Sequence, residues 1–258
     1  MIGGTGLEKF ALQDVRPETI STPYGRVTVD VGRFSPQEEP IVFMSRHGKG
    51  HTVPPHLVNY RGNIWALKEL GVRKIIATAA VGSLSARLKP GDIILLDQFL
   101  DFTKSRPQTF YEGRDQGVLH VDMTEPYCKS VQAVIRKAGE ALGIPLKDGV
   151  TYVCTEGPRF ETPAEIKMFQ ILGGECVGMT SVPEVVLARE CGICYASVGM
   201  VTNEAAGIAD HPLTHEEVLV NMQVTGATIA QLLREAFRLL HPEQDCRCAM
   251  GNAEVGKF

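Results

Sequence analysis

The 258-residue sequence predicts a single α/β domain in which helices flank a mixed, largely buried β-sheet. Three observations predict it. Short, β-branched apolar runs of the kind found in buried strands recur along the chain. Between them lie helical patterns that stop at glycine. Helix-start signatures, with a hydroxyl residue followed three positions later by glutamate, open several of the helices.

Taken in order, the apolar run 41–44 reads as a strand that ends at Arg46-His47-Gly48, and the helical segment reaching Leu70 stops at Gly71. Residues 73–80 and 92–99 read as strands, and the segment reaching Leu142 is a helix stopped by Gly143. Strand 149–154 precedes Thr162-Pro163-Ala164-Glu165, a capping box with proline in the first helical turn, where it is best tolerated. Strand 176–179 runs into a second box, Ser181 to Glu184, and strand 193–201 follows. A third box, Thr214 to Glu217, opens a long helix with apolar Val218, Leu219, Met222, Ile229, Leu232, Leu233, Phe237 and Leu240. These elements define a domain over residues 1–240 and a polar C-terminal tail over 241–258, with no internal repeat or linker.

Composition excludes several functions. A chain that is 44% hydrophobic buries a sizeable core, and a net charge of −4 argues against nucleic acid as a partner. No apolar run approaches a membrane span and no basic segment precedes an apolar one at the start, so a soluble, cytoplasmic protein with no membrane partner is expected. Seven cysteines, an odd number, argue against a secreted disulfide framework. Cys191-x-x-Cys194 and Cys246-x-Cys248 have metal-like spacing. The first pair reads as ordinary core thiols, and the second as a local redox pair or exposed thiols, so no metal is expected.

The chemistry starts at Gly178-Met179-Thr180-Ser181, where a strand gives way to a helix start. Unpaired N–H groups and the helix dipole favour an anion there, and Thr180 adds a hydroxyl. Gly3-Gly4-Thr5-Gly6 is a tight turn that lacks the lysine of a P-loop and the third glycine of a dinucleotide fingerprint. Arg46-His47 at a strand end suits a small dianion, through paired guanidinium hydrogen bonds and an imidazole donor, or else is a solvated basic turn. Thr5, Arg46, His47, the Ala79-Ala80 backbone and Thr180 together suit one inorganic phosphate.

Seven motifs, in order, resemble the trimeric purine nucleoside phosphorylase and methylthioadenosine phosphorylase family. They are Gly-Gly-Thr-Gly (3–6), Arg-His-Gly (46–48), Ala-Val-Gly-Ser-Leu (80–84), Pro-Gly-Asp-Ile (90–93), Glu-Gly-Pro-Arg-Phe-Glu-Thr (156–162), Gly-Met-Thr-Ser-Val-Pro-Glu (178–184) and Val-Thr-Asn (201–203). The resemblance implies a mixed sheet flanked by helices, a trimer or dimer of trimers, and attack of phosphate on the anomeric carbon of a purine nucleoside. Inorganic phosphate is then a co-substrate, and no cofactor is needed. By the same resemblance Thr5, Arg46, His47, Ala79, Ala80 and Thr180 form the phosphate site, Met179 meets the ribose and Phe160 walls the nucleoside. His120 resembles a residue that reaches the sugar of a neighbouring subunit. Family members carry an apolar strand before the glycine loop; here Met1-Ile2 leads directly into it, so that strand is expected to be cropped or absent.

Base and sugar preferences follow from a few positions. Asn203 and Ala205 stand where adenine-selective members carry aspartates, and Glu161 where they carry a small hydroxyl residue. An amide suits the 6-oxo group and a carboxylate the ring N1–H, which together favour inosine and guanosine. His215, at the start of the last helix, matches a histidine that bonds the 5′-hydroxyl. Methylthioinosine or methylthioadenosine phosphorylase is the alternative, and a nucleoside hydrolase or a non-catalytic nucleoside-binding protein are readings from other classes.

Overall fold

The computed structural model describes residues 1–4, 10–208, 215–241, 246–250 and 255–256. Ile2–Gly3 forms β1, and a hairpin of β2 (Gln13–Thr22) and β3 (Gly25–Arg33) leads to β4 (Ile41–Ser45). Then come α1 (Tyr60–Glu69), β5 (Lys74–Ser83), β6 (Ile93–Phe102), β7 (Val118–Leu119), α2 (Lys129–Leu142) and β8 (Leu146–Thr155). The chain continues through α3 (Pro163–Ile171), β9 (Cys176–Gly178), α4 (Ser181–Glu190), β10 (Cys194–Glu204), α5 (His215–Leu239) and β11 (Val255–Gly256).

The large sheet has the order β10-β6-β8-β9-β5-β1-β4-β3-β2, and β10 also pairs with β5. Its first five strands therefore close into a ring, from which β1, β4, β3 and β2 extend as a wing. Strands β1, β4, β5 and β10 pair in parallel and end at one edge. Successive side chains of a strand face opposite ways. In β5, Ile75, Ala77, Ala79 and Val81 pack toward α1 and α4, whereas Ile76 packs with Val131 and Ile135 of α2 and with Ile229 and Leu233 of α5. Two cores thus sandwich β5 and β10, which explains their unbroken apolar runs.

All five strands read between residues 73 and 201 are present, with ends shifted by a few residues. Gly71 and Gly143 adopt positive φ just beyond α1 and α2, as a glycine stop requires. Thr162 and Glu165 cap α3 reciprocally. Helix α5 begins at His215, but Thr214 lies outside the described residues.

One expectation resolves and two need correction. The first strand is cropped rather than absent: Ile2 pairs with both Met44 and Ala77, so two residues suffice to bridge β4 and β5. The Ser181–Glu184 capping box does not form, because Val182 is extended and each of the two side chains is committed elsewhere, Ser181 to Tyr127 and Glu184 to Arg46. The cysteines of the C-terminal segment are not exposed: Cys248 is buried among core residues, Cys246 packs beside it, and Val255–Gly256 pairs with β7. The β2–β3 hairpin is an element that the sequence reading did not contain; β2 is mostly exposed and carries little apolar signal.

Candidate active site

A cavity of about 400 Å³ opens where β1, β4, β5 and β10 end, the edge at which α/β sheets place ligands. Gly4, Arg46, His47, Ala79, Ala80 and Thr180 line it, together with Met179, Phe160, Glu161, Asn203 and Ala205. Two contact groups mark its extent. A Cβ on Gly4 would fall 2.7 Å from the Thr78 carbonyl and 2.9 Å from Arg46, so only glycine lets β1 approach β5 and the guanidinium this closely. Farther along β5, Gly82 faces Asn203 and Ala205. Four residues of strand separate these groups, roughly 13 Å at the usual rise, a span that suits a nucleoside and an anion laid end to end.

Arg46 is buried and held from several sides. Its Nε and Nη2 donate to Glu184 at 2.7 and 2.6 Å, and Nη1 donates to the Thr78 carbonyl at 2.8 Å. Tyr195 donates its hydroxyl to the same Glu184 carboxylate at 2.7 Å. The sequence reading assigned the paired guanidinium bonds to phosphate; in the structure they go to Glu184. Three of the five N–H donors of an arginine are used within the protein, and the remaining two are available to a ligand.

His47 also departs from its expected role. Its Nδ1 lies 2.8 Å from the Val53 carbonyl, which can only accept, so that nitrogen carries the proton. Burial, the Arg46 charge and His51 lower its pKa to about 4 against the opposing effect of the Val53 bond. The ring is therefore neutral near pH 7 and Nε2 is an acceptor, matched to a protonated phosphate oxygen rather than a bare one. Thr180 is buried, and its N–H donates to the Tyr152 hydroxyl at 3.0 Å. A Cβ on Gly178 would meet that hydroxyl at 2.5 Å, so glycine there allows Tyr152 to reach Thr180.

At the far end, Asn203 donates Nδ2 to the Glu204 carbonyl at 2.9 Å, while its Oδ1 accepts from Thr202 at 2.8 Å. The carbonyl fixes which end of the amide is nitrogen. The pairing of β10 with β5 shifts register between Val201 and Asn203, beside this amide. Glu161 is buried and accepts from the Thr155 hydroxyl at 2.6 Å; burial pushes its pKa up despite that bond. Phe160 stays 40% exposed at the rim.

Of the remaining expected residues, Thr5 lies outside the described residues, as does the side chain of His215. His120 is exposed and lines no part of this cavity. Arg106 is a residue that the sequence reading missed. It is buried, and it donates to the carbonyls of Met179 and Val182, both at 2.7 Å, and to those of Thr155 and Glu156 at 3.1 and 2.7 Å. Its one signal in sequence is an arginine before proline in a polar loop, which is too common to stand out.

A buried cation, a neutral imidazole and an amide–carboxylate pair on one cavity define a small-molecule enzyme site in an α/β fold rather than a macromolecular interface. The family model described as the phosphorylase superfamily matches residues 1–238. The chain is 51% identical over 253 residues to the 6-oxopurine nucleoside phosphorylase of Pyrococcus furiosus, covering 96% of this chain and 95% of the relative. It is 48% identical over 258 residues to a probable S-methyl-5′-thioinosine phosphorylase of Methanopyrus kandleri, covering 99% and 98%. Among solved structures, methylthioadenosine phosphorylase from Schistosoma mansoni in complex with adenine aligns with a TM-score of 0.89 at 34% identity, over 98% of this chain and 94% of that one. The chain belongs to the phosphorylase superfamily, as one of its nucleoside phosphorylases, a pentosyltransferase.

Arg46→Ala strands the Glu184 carboxylate in the interior, and the expected loss of stability is about 3–5 kcal/mol. Urea unfolding measures it, and wild-type stability in the variant would mean that Glu184 has another counter-charge. His47 makes stability pH-dependent in a defined window. Between its ordinary pKa of 6.5 and about 4 the unfolded chain takes up a proton that the folded chain does not, so its contribution falls as pH drops through that range. The stability difference between wild type and His47→Gln should shrink by about 2–3 kcal/mol from pH 7 to pH 4. A difference that stays constant across those pH values would show that His47 titrates normally.

Proposed function

We propose that this nucleoside phosphorylase acts on 6-oxopurine nucleosides, inosine and guanosine, releasing the free base and ribose 1-phosphate in purine salvage. The observation that carries this reading is that Asn203 and Glu161 line the same cavity as Arg46, His47 and Thr180. Asn203 Nδ2 keeps one N–H beyond its bond to Glu204, a donor suited to O6 or N7 of the purine. Ionised Glu161 accepts from the ring N1–H that 6-oxopurines carry. Adenosine offers an amino donor where Asn203 presents another donor, and it has no N1–H for Glu161.

In this reading Arg46, the Ala79-Ala80 backbone and Thr180 hold inorganic phosphate, with His47 Nε2 accepting its remaining proton. Met179 and Phe160 hold the ribose and base. A phosphate oxygen bonds to C1′ as the C1′–N9 bond breaks, and the electron pair of that bond moves onto the purine. Charge developing at N7 and O6 strengthens the Asn203 bond, so the amide acts mainly in the transition state. The raised pKa of Glu161 means that kcat/KM for inosine should fall as pH drops through that pKa, since the protonated acid no longer accepts from N1–H.

Relatives named as probable S-methyl-5′-thioinosine phosphorylases, at 48% and 49% identity, keep a second reading open at the 5′ end of the sugar. His215, at the start of α5, is our assignment for the 5′-hydroxyl. We also infer a cytoplasmic trimer or dimer of trimers. This is supported by the exposed position of His120, free to serve a neighbouring cavity, and by the exposed apolar residues Ile171 and Leu172 at the end of α3.

A panel of inosine, guanosine, adenosine, methylthioinosine and methylthioadenosine, each with and without phosphate, tests the base. Turnover of the first two, only with phosphate, is expected; preference for methylthioadenosine would overturn the assignments of Asn203 and Glu161. Asn203→Asp should cut kcat on inosine by about 10²–10³-fold, the usual cost of losing one transition-state donor. His215→Val should lower kcat/KM for inosine relative to methylthioinosine by about 10-fold or more, an unpaired hydroxyl costing about 1–3 kcal/mol. An unchanged ratio would remove His215 from the sugar site.

A further inference from the structure

Four cysteines far apart in sequence meet at one point. Cys128 is the N-cap residue of α2, Cys194 is the first residue of β10, and Cys246 and Cys248 come from the C-terminal segment. Their sulfur atoms all lie within 4.8 Å of one another, and Cys128, Cys194 and Cys248 are buried. Cys191 is not part of the group, so the Cys191-x-x-Cys194 spacing was misleading, while Cys246-x-Cys248 supplies two of the four sulfurs.

We propose that Cys128, Cys194, Cys246 and Cys248 form a tetrathiolate site for one zinc-class divalent cation, which clamps the C-terminal segment to the body of the subunit. This departs from the expectation that the chain holds no metal.

Size and chemistry both fit. Zinc–sulfur bonds of about 2.3 Å in a tetrahedron put the sulfurs about 3.8 Å apart, within the spread of the cluster. The Cys194 and Cys246 sulfurs are 3.2 Å apart, well beyond the roughly 2.05 Å of a disulfide. All seven cysteines are free thiols. Four sulfurs with no histidine or carboxylate form a soft donor set, which selects zinc over magnesium or calcium.

The surroundings suit a site of net negative charge. Backbone N–H groups of Ser130 and Val131, in the first turn of α2, act on the Cys128 sulfur. A divalent ion with four thiolates carries two net negative charges, and two cations lie within Coulomb reach: Lys74 of Cys194, Cys128 and Cys246, and Arg189 of Cys248. Binding consumes the cation and releases one proton from each thiol that was protonated, with no change in oxidation state. Affinity therefore rises with pH.

The test uses the full chain, purified anaerobically with a thiol reductant, equilibrated with zinc sulfate and desalted. Elemental analysis should find about one zinc per chain. Cobalt(II) in place of zinc should give the visible ligand-field bands and sulfur-to-metal charge-transfer absorption of a tetrahedral tetrathiolate. Cys128→Ser and Cys248→Ser should reduce bound zinc to background, whereas Cys191→Ser should retain it. Chelation should lower Tm without changing phosphorolysis kinetics at moderate temperature. Less than about a tenth of a zinc per chain with no cobalt bands would overturn the site. So would a non-reducing peptide map, taken from zinc-equilibrated protein, that joins these cysteines by disulfides. The cobalt spectrum of the unmutated chain decides the matter even if the serine variants fail to fold.

Discussion

The cavity is built around the ion pair of Arg46 and Glu184, which joins the end of β4 to α4 across 138 residues of chain. The two side chains are 1% and 0% exposed. A pair this deeply buried adds little net stability, because removing both charges from water costs nearly what their attraction returns. It specifies geometry, since any arrangement that separates the partners leaves a bare charge in the interior. Through Thr78 the pair also holds β5, and through Tyr195 it holds β10. Three parallel strands and a helix are thereby referenced to one guanidinium at one end of the cavity.

A second buried arginine solves a different problem. Where β8 and β9 end, their carbonyls lose sheet partners just as the chain turns to line the cavity. Arg106 gathers those of Thr155, Glu156, Met179 and Val182, satisfying acceptors that would otherwise be buried unpaired. It holds the segment bearing Phe160 and Glu161 against the segment bearing Met179 and Thr180. Arg46 thus fixes one end of the cavity, while Arg106 fixes its walls, and neither role is visible from one stretch of sequence.

This separates what was legible from what was not. The strands of the two cores were legible because β5 and β10 are buried on both faces and must be apolar throughout. The α1 and α2 stops and the α3 cap were legible because glycine stops and capping boxes act within a few residues. The β2–β3 hairpin was missed because an exposed strand leaves only a weak pattern. The Ser181–Glu184 box was misread for an instructive reason: its glutamate answers a tertiary partner, Arg46, and local pattern has no means of seeing it. His47 lines the cavity, yet its protonation state depends on Val53, Arg46 and burial together. Arg106 acts through backbone carbonyls, which carry no side-chain identity to match. The cysteine cluster joins four residues over 120 positions of chain, so spacing directed attention to the wrong partner for Cys194.

The two ends of β10 divide the labour of the subunit. Cys194 opens the strand and Asn203 lies near its close, nine residues on and roughly 30 Å away at the usual rise. At one end the chain keeps polar groups in positions that cost stability, such as a neutral histidine beside an arginine and a carboxylate with a raised pKa. At the other end, four cysteines meet where α2 starts and the C-terminal segment returns. A metal held there, as proposed, would restrain the unfolded chain and the terminal segment without reaching the cavity. The rigid, doubly buried strand between them lets stability be added at one end while the strained polar geometry at the other is preserved.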